Sequence, residues 1–411
     1  MKTCFKSLLV PAAIAVLTAC GPSSQQDEGL ITVDVSKSYP KKELILQDFM
    51  DVEYIPLETT EEFITLGYLQ AIGKDVMVLR DKMAANGNIY LFDRKGKALK
   101  KMNRRGQSHE EYLTTNGIYL DEENGELFVG NVPRRNVLAY DLSGNFKRSF
   151  VFKEGGDENT KSWVYYKSMR NFDRDHFICQ DASSGRSFNG EREDLEPRNL
   201  FFIVSKQDGT VTKEIEIPFE KKVSQVLFAE KGIGVVNNPC IIPYQDGWLL
   251  TEPSADTIYT YSSAHELKPF IVRTPSIQSM NQEIFLFPGV VTDRYCFMQA
   301  VKKELNEAMM DTYYRLMRTE LVYDRQAGET FEYVLFNDDF MDKKPIANLV
   351  DEIFDLTVFN NDEIAFAWRI EAPEIVEAYE AGRLKGKLKE IAAGMHEEDN
   401  PVLMLAKYKR I

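Results

Sequence analysis

The chain has 411 residues, of which 44% are hydrophobic and 11% aromatic, and its formal net charge is -14 at pH 7. This composition allows a large buried core and excludes disorder as the main state of the chain. Because the negative charge is spread over the whole length, it favours solubility and argues against nucleic acid as a partner.

The first twenty residues are typical of an export signal. Lys2 and Lys6 precede the short apolar run LLVPAAIAVL, and LTAC at 17–20 ends it. The run is too short to cross a bilayer of about 30 Å as a permanent helix. LTAC resembles the bacterial lipobox, which implies removal of residues 1–19 and lipid attachment to Cys20. The alternative is an ordinary cleaved signal with an incidental cysteine.

Residues 20–30 are polar and predict a flexible tether. A lipid on Cys20 would attach the protein to a membrane of the cell envelope. The lipobox leaves the location open among the outer membrane, the periplasmic side and the cell surface. Residues 31–411 remain for the folded domain.

A hairpin plan recurs along this domain: about four apolar residues, a polar or glycine-containing turn, and a second strand. Copies lie at 89–101, 137–150, 201–215, 257–271 and 321–334, about 48 to 65 residues apart. Further hairpins at 118–131, 168–180, 241–250 and 356–368 precede copies of this plan or stand near the end of the chain. The period suits the blades of a propeller better than a solenoid.

Two hairpins in series give a four-stranded antiparallel blade, and copies around an axis cover each other's apolar faces. The predicted fold is therefore an all-β, six-bladed β-propeller. Its blades are expected at 64–102, 116–151, 166–217, 241–272, 290–335 and from about 353 onwards. The last blade lacks one strand. We expect 51–58 to complete it by pairing with 401–408, so that N-terminal and C-terminal strands close the ring.

Two segments suggest insertions into the sheets. Residues 373–395 begin with proline and acidic residues and become basic towards the end, which predicts a helical insertion in the last blade. Its apolar stripe is expected to pack on the propeller, with partner binding as the alternative. Residues 302–317 fit either a helix or a long strand with a loop.

The segments that carry a family resemblance are DVEYIPLETT, the FDRKGK and YDLSGN hairpins, and DNPVLMLAKYK. Together they resemble the six-bladed β-propeller lipoproteins of Bacteroides-like bacteria, which are distant relatives of NHL-type propellers. That family carries a GxGPGEY-like signature after the first blade. Residues 106–112 read GQSHEEY, so Gly106, Glu111 and Tyr112 match it and the middle departs. The family is mostly of unknown function, so the resemblance implies a fold more than an activity.

Blade topology sorts the loops between two faces. With strands a to d numbered outwards, the a-to-b and c-to-d turns share one face and are short. The b-to-c and d-to-a connections share the other face and include 103–117, 182–199, 218–240, 273–289 and 369–400. Long loops on a rigid scaffold commonly carry binding residues, so we predict binding on this face.

Aromatic planes beside arginine side chains suit sugar rings or carboxylates. The candidate ligand-binding residues are Arg104, Arg105, His109, Arg134, Arg135, Trp163, Tyr166, Trp368 and Arg369. For any one of them, the alternative is a structural role at the end of a blade.

The sequence contains no G-x-S-x-G, HExxH or Walker-type loop and no CxxC spacing, so no catalytic residue, metal or cofactor is predicted. Cys179, Cys240 and Cys296 have apolar surroundings and are expected to be buried thiols, although one disulfide is possible. Two functions stay open. One is a lipid-anchored module that binds a glycan, peptide or protein. The alternative is a hydrolase or lyase with carboxylates facing the channel, which the mostly apolar innermost strands disfavour.

Overall fold

The structure is a computed structural model that describes residues 29–151, 166–181, 199–309, 316–346, 349–350 and 356–409. Within these residues the strands form six radial blades, which confirms the predicted all-β, six-bladed propeller. Signal peptide, tether and Cys20 lie outside the described residues, except for Gly29 and Leu30 at the end of the tether.

The N-terminal part contains β1 (Ile31–Asp34), β2 (Lys41–Ile45), the single-turn helix α1 (Leu46–Phe49) and β3 (Met50–Pro56). Blades 1 to 3 consist of β4 (Tyr68–Ile72), β5 (Val76–Arg80), β6 (Asn88–Asp93), β7 (Ala98–Asn103), β8 (Gly117–Asp121), β9 (Glu126–Asn131), β10 (Asn136–Asp141), β11 (Phe146–Val151), β12 (Tyr166–Asn171), β13 (His176–Asp181), β14 (Phe201–Ser205) and β15 (Val211–Ile215). A separate hairpin, β16 (Val226–Ala229) and β17 (Gly232–Val235), follows blade 3.

Blades 4 and 5 consist of β18 (Ile241–Tyr244), β19 (Gly247–Leu250), β20 (Thr257–Tyr261), β21 (Leu267–Thr274), β22 (Ile284–Val291), β23 (Tyr295–Leu305), β24 (Leu316–Asp324) and β25 (Glu329–Phe336). Blade 6 contains β26 (Leu356–Val358), β27 (Ile364–Ile370) and β28 (Val402–Tyr408), with helices α2 (Ala372–Glu380) and α3 (Gly386–Ala392) between the last two. Blade 5 thus starts earlier than the predicted residue 290.

Burial explains why these segments form blades. The second strand of a blade is covered on both faces by neighbouring blades, so it contains a buried apolar run, as in Val76–Leu79 of β5. The outermost strands alternate instead, as in β7. Phe128 of blade 2 meets Phe177 of blade 3 edge to face, with ring centroids 4.8 Å apart. Packing between blades therefore makes up the core.

The ring closes as predicted. β3 pairs antiparallel with β28, with Pro56 opposite Val402 and Met50 opposite Tyr408. The first part of the folded domain thereby supplies the outermost strand of the last blade, and β28 has no exposed edge.

The N-terminal chain also forms two strand pairs that were not predicted from the sequence. β1 adds a parallel fifth strand to β21 of blade 4, and β2 adds one to β25 of blade 5. Adjacent strands of a sheet are twisted relative to one another by about 20–25°, so the outermost strand of a blade runs largely around the circumference of the propeller. Short connections along this circumference reach the next blade. Residues 31–56, which we call the N-terminal belt, therefore follow the rim of three consecutive blades.

A buried carboxylate fastens the belt to blade 5. The Asp324 side chain is 0% exposed, and its Oδ2 lies 2.7 Å from Lys42 Nζ of the belt. Arg294 Nη2 contacts the same oxygen at 2.9 Å. Burial opposes the ionised form of Asp324, but these two cations outweigh it and hold its pKa well below the usual range.

The predicted helical insertion is confirmed as α2 and α3. Ile375, Leu384 and Leu388 are buried against the propeller, whereas Tyr379 remains 37% exposed. In the described parts of the ambiguous segment, β23 extends to Leu305, a single 3-10 turn follows at Glu307–Met309, and β24 begins at Leu316.

Cys179, Cys240 and Cys296 are buried and form no disulfide with one another, which confirms the prediction of buried thiols. Burial raises the pKa of the Cys179 thiol. In the part of the chain that the structure describes, no helix is long and apolar enough to cross a membrane.

Candidate functional site

The two faces of the propeller differ as the loop lengths predicted. The a-to-b and c-to-d turns, such as 73–75 and 142–145, lie on what we call the short-turn face. Connections such as 104–116 and 371–401 lie on the long-loop face. The site residues predicted from the sequence were assigned to the long-loop face.

Tyr112 holds the loop between blades 1 and 2. Its side chain is 0% exposed, and its hydroxyl donates to the Gly87 carbonyl at 2.7 Å and accepts the Arg104 N–H at 2.9 Å. Burial raises the pKa of Tyr112 to about 12. A side chain at Gly106 would collide with the Glu111 carboxylate. The three residues that match the family signature therefore fix the shape of this loop.

Five of the predicted residues lie together on or beside this loop. Arg134 donates to the carbonyls of Gln107 and Ser108, both at 2.6 Å. Arg104 Nε donates to the Gly144 carbonyl at 3.0 Å. Arg105, Arg135 and His109 are exposed, and the His109 side chain is 82% exposed. Arg104 and Arg134 thus support the loop, while Arg105 and His109 are open to solvent.

The other predicted residues do not join this cluster. Trp368 and Arg369 lie in β27 and are only 7% and 4% exposed. The Arg369 guanidinium lies over the Tyr68 ring, 5.4 Å from its centroid, and contacts Glu371 at 3.1 Å. Trp163 lies outside the described residues, and of Tyr166 only the backbone at the start of β12 is described. The predicted set is therefore not one contiguous site.

A cavity of about 790 Å³ opens at the short-turn face, where the a-to-b turns of blades 1 to 3 converge. Lys206 Nζ in its wall lies 2.7 Å from Asp121 Oδ2, and both side chains are at least nine-tenths buried. Glu122 accepts the N–H groups of Lys74 at 2.5 Å and Asp75 at 2.8 Å. The buried Lys206–Asp121 pair therefore connects blades 2 and 3 at the wall of this cavity, and Glu122 connects blades 1 and 2.

A smaller cavity of about 280 Å³ lies between the turns of blades 4 to 6.

A second kind of cavity lies on the long-loop face between blades 3 and 4. This blade 3–4 groove has a volume of about 470 Å³, within the range of small-molecule sites. Its lining includes Phe219, Glu220, Asp256, Tyr259, Ser276 and Gln278.

A buried ion pair joins the two walls of the groove. Lys222 Nζ lies 2.8 Å from Glu252 Oε2, and the two side chains are 0% and 2% exposed. Lys222 also lies 4.8 Å from the centroid of the Phe219 ring. Since Lys222 belongs to the loop after blade 3 and Glu252 to blade 4, this pair fixes the width of the groove.

Sequence reasoning missed the groove residues, although it assigned 218–240 and 273–289 to the correct face. The groove combines three segments that are far apart in sequence, and none carries a motif. The proximity of Pro218 and Phe219 to loop acids was the available signal. Within the described residues, no group of three His, Cys, Asp or Glu side chains is arranged to hold a metal ion.

Comparisons with known structures support the fold. A candidate exported protein of Bacteroides fragilis NCTC 9343 is 13% identical with a TM-score of 0.56, over 90% of this chain and 100% of its own. A DUF4221 family member from Bacteroides vulgatus ATCC 8482 is 10% identical with a TM-score of 0.46, over 88% and 98% of the two chains. Virginiamycin B lyase of Staphylococcus aureus is 10% identical with a TM-score of 0.38, over 86% and 99%. The first of these similarities supports the fold, and the last two are too low to support any argument.

No curated protein matches the chain. The model of the domain of unknown function DUF4934 matches residues 30–407, which is nearly all of the described propeller and its belt. The match thus includes the belt, the closing strand pair and both faces. The chain therefore belongs to the DUF4934 family.

Proposed function

We propose that the protein is a lipid-anchored, extracytoplasmic recognition module that binds a glycan, peptide or protein ligand through its long-loop face. The observation that carries this proposal is the blade 3–4 groove. Its walls are held by the buried Lys222–Glu252 pair, so the groove is formed before a ligand arrives. Arg105 of the blade 1–2 loop is proposed as a further contact on the same face, and His109, whose ring packs edge to face on Phe146, as a contact at its outer margin.

The state of the carboxylates favours recognition over hydrolysis. Asp121 and Glu122 at the short-turn cavity are bound by Lys206 and by backbone N–H groups. In the groove, Asp256 accepts the N–H of Ile277 at 2.7 Å. A general acid or base must exchange its proton with a substrate, and these contacts instead occupy the carboxylate oxygens that such an exchange would need.

The proposed location rests on the N-terminal sequence. LTAC places Cys20 shortly before β1, which begins at Ile31 on blade 4. The similar Bacteroides fragilis protein, described as a candidate exported protein, agrees with an extracytoplasmic location. Metabolic labelling with an alkyne fatty acid should label the wild-type protein and not a Cys20→Ala variant. Labelling that survives this substitution would contradict the anchor.

Photo-crosslinking on cells tests the binding face. We expect a crosslinker at exposed Glu220 or Arg105 to capture a ligand, analysed as glycan or as protein by mass spectrometry. The same crosslinker at Lys74, exposed on the short-turn face, is the matched control. Capture from Lys74 alone would place recognition on the wrong face and refute the proposal.

A further inference from the structure

The side chains of the blade 3–4 groove combine flat apolar surface with oxygen acceptors. Phe219 and Tyr259 are both half-buried, so each presents part of its ring. Glu220, Asp256 and Gln278 place carboxylate or amide oxygens in the same groove. A sugar ring has the complementary surface, because its C–H face packs on an aromatic ring while its hydroxyl edge donates hydrogen bonds.

The charge of the lining disfavours anionic ligands. Glu220 and Asp256 are the ionisable carboxylates of the groove, and its described lining contains no Lys or Arg side chain. Lys222 lies behind Phe219 and is paired with Glu252. Phosphorylated or uronic-acid ligands would be repelled, whereas neutral hydroxyl groups would find acceptors.

The backbone in the groove favours a carbohydrate over an extended peptide. Tyr259 belongs to β20, which is hydrogen-bonded to β19 on one side and to β21 on the other. On the blade 4 wall, the described strand that carries Tyr259 therefore offers no free edge for a peptide to extend the sheet. Recognition at this wall relies on side chains, as is usual for hydroxyl-rich ligands.

Hydrogen bonds hold the polar side chains in place. Gln278 Nε2 donates to the carbonyls of Lys221 and Ser254, both at 2.9 Å, which leaves its amide oxygen as the group to offer a ligand. Asp256 accepts the Ile277 N–H, and Arg273 Nη1 lies 3.8 Å from the same carboxylate oxygen. These contacts reduce the ordering cost of binding.

From this lining, resting on the proposed function, we infer that the blade 3–4 groove binds a neutral oligosaccharide. Phe219 and Tyr259 pack against the C–H faces of the sugar rings. Glu220, Asp256 and the Gln278 amide oxygen accept hydrogen bonds from the hydroxyl groups. The groove is thus assigned a ligand class that the fold alone does not provide.

Calorimetry with the full-length protein tests this inference, in a detergent without a sugar headgroup. The probes are neutral hexasaccharides of glucose, mannose, xylose and galactose, with an oligogalacturonate as the anionic counterpart. We expect at least one neutral probe to bind and the oligogalacturonate not to bind. Tyr259→Ala and Phe219→Ala should each weaken binding about tenfold, as expected for aromatic anchors.

Two controls keep the result interpretable. Phe228→Ala removes a 44% exposed aromatic ring on the neighbouring hairpin and should leave affinity unchanged. Exposed Glu220→Gln, which should weaken binding at most a few fold, serves if either aromatic variant fails to fold. Unchanged affinity in the Phe219, Tyr259 and Glu220 variants would overturn the inference, and so would tighter binding of the anionic probe than of the neutral probes.

Failure of the inference can be separated from failure of the proposed function. If no neutral probe binds at millimolar concentration, the carbohydrate assignment is refuted. Capture of a protein or peptide by the Glu220 crosslinker would then leave the recognition role intact. If both the calorimetry and the crosslinking from the long-loop face give nothing, both proposals fall.

Discussion

The short-turn cavity and the blade 3–4 groove each depend on a buried lysine–carboxylate pair, but the pair has a different position in each. Lys206 and Asp121, 2.7 Å apart, form part of the cavity wall and join blades 2 and 3. Lys222 and Glu252, 2.8 Å apart, lie behind the groove wall and leave other side chains to face the opening.

This difference indicates which opening can bind a ligand at low cost. A ligand in the short-turn cavity would compete with contacts between blades, and weakening those contacts would destabilise the ring. A ligand in the groove meets the half-buried rings of Phe219 and Tyr259 and the exposed Glu220 side chain without displacing the buried Lys222–Glu252 pair. Cavity volume alone would have favoured the less suitable site.

Lys222→Met should give the largest effect, because it leaves Glu252 buried without its cation. We expect a loss of up to about 5 kcal/mol in the free energy of unfolding, together with the loss of ligand binding. Urea denaturation and calorimetry measure the two effects. Lys222→Met with Glu252→Gln removes both charges, keeps an acceptor for the Ser254 N–H and should recover most of the stability. A loss below 1 kcal/mol in the single variant would contradict this role.

Lys206→Met makes the same change on the other face and should separate stability from binding. Asp121 loses its cation, so we expect a loss of about 3 kcal/mol in the free energy of unfolding. Ligand affinity at the groove should stay within twofold of wild type in the folded fraction. If affinity falls as far as it does in Lys222→Met, the two openings are not independent.

The pH dependence of stability tests the role of the charged Asp324 side chain on the rim of blade 5. The pKa of Asp324 is lower in the folded than in the unfolded state. Its contribution to the free energy of unfolding is therefore fully present above pH 4 to 5 and is lost as the pH falls further. At pH 7, Asp324→Asn should be about 2 kcal/mol less stable than wild type. Urea denaturation at pH 7 and pH 3 should show this gap shrinking in acid. A gap that is independent of pH would refute the assignment.

His109→Ala should give the smallest effect. The side chain is 82% exposed, so the free energy of unfolding should change by less than about 0.5 kcal/mol. As a proposed contact at the margin of the binding face, His109 should contribute about threefold in affinity. Calorimetry checks this value. An unchanged affinity would remove the blade 1–2 loop from the binding surface.

The blades were predictable from the sequence because their signals are local. Each hairpin has a turn within a few residues of its strands, and the closing pair was identified because blade 6 was one strand short. The belt was not predictable, since β1 and β2 have only 4 and 5 residues and pair with strands more than 200 residues away. Parallel pairing at such distance leaves no local pattern.

The candidate site was less predictable for a related reason. Trp368 and Arg369 have the composition of a sugar site, but β27 is covered on both faces and buries them. Phe219 and Tyr259 meet only after blades 3 and 4 have packed together. Residue types indicated the chemistry, while the positions depended on contacts between blades.

Closure by β3 and β28 has a consequence for biosynthesis. Translation produces β3 long before its partner β28, so the pairing must wait until β28 has been synthesised. Bringing such distant ends together is slow and carries a large entropic cost. A message truncated before codon 402 would yield a chain whose sixth blade keeps two unpaired edges. Strand β28 therefore decides whether the chain becomes a sealed ring or a substrate for proteases.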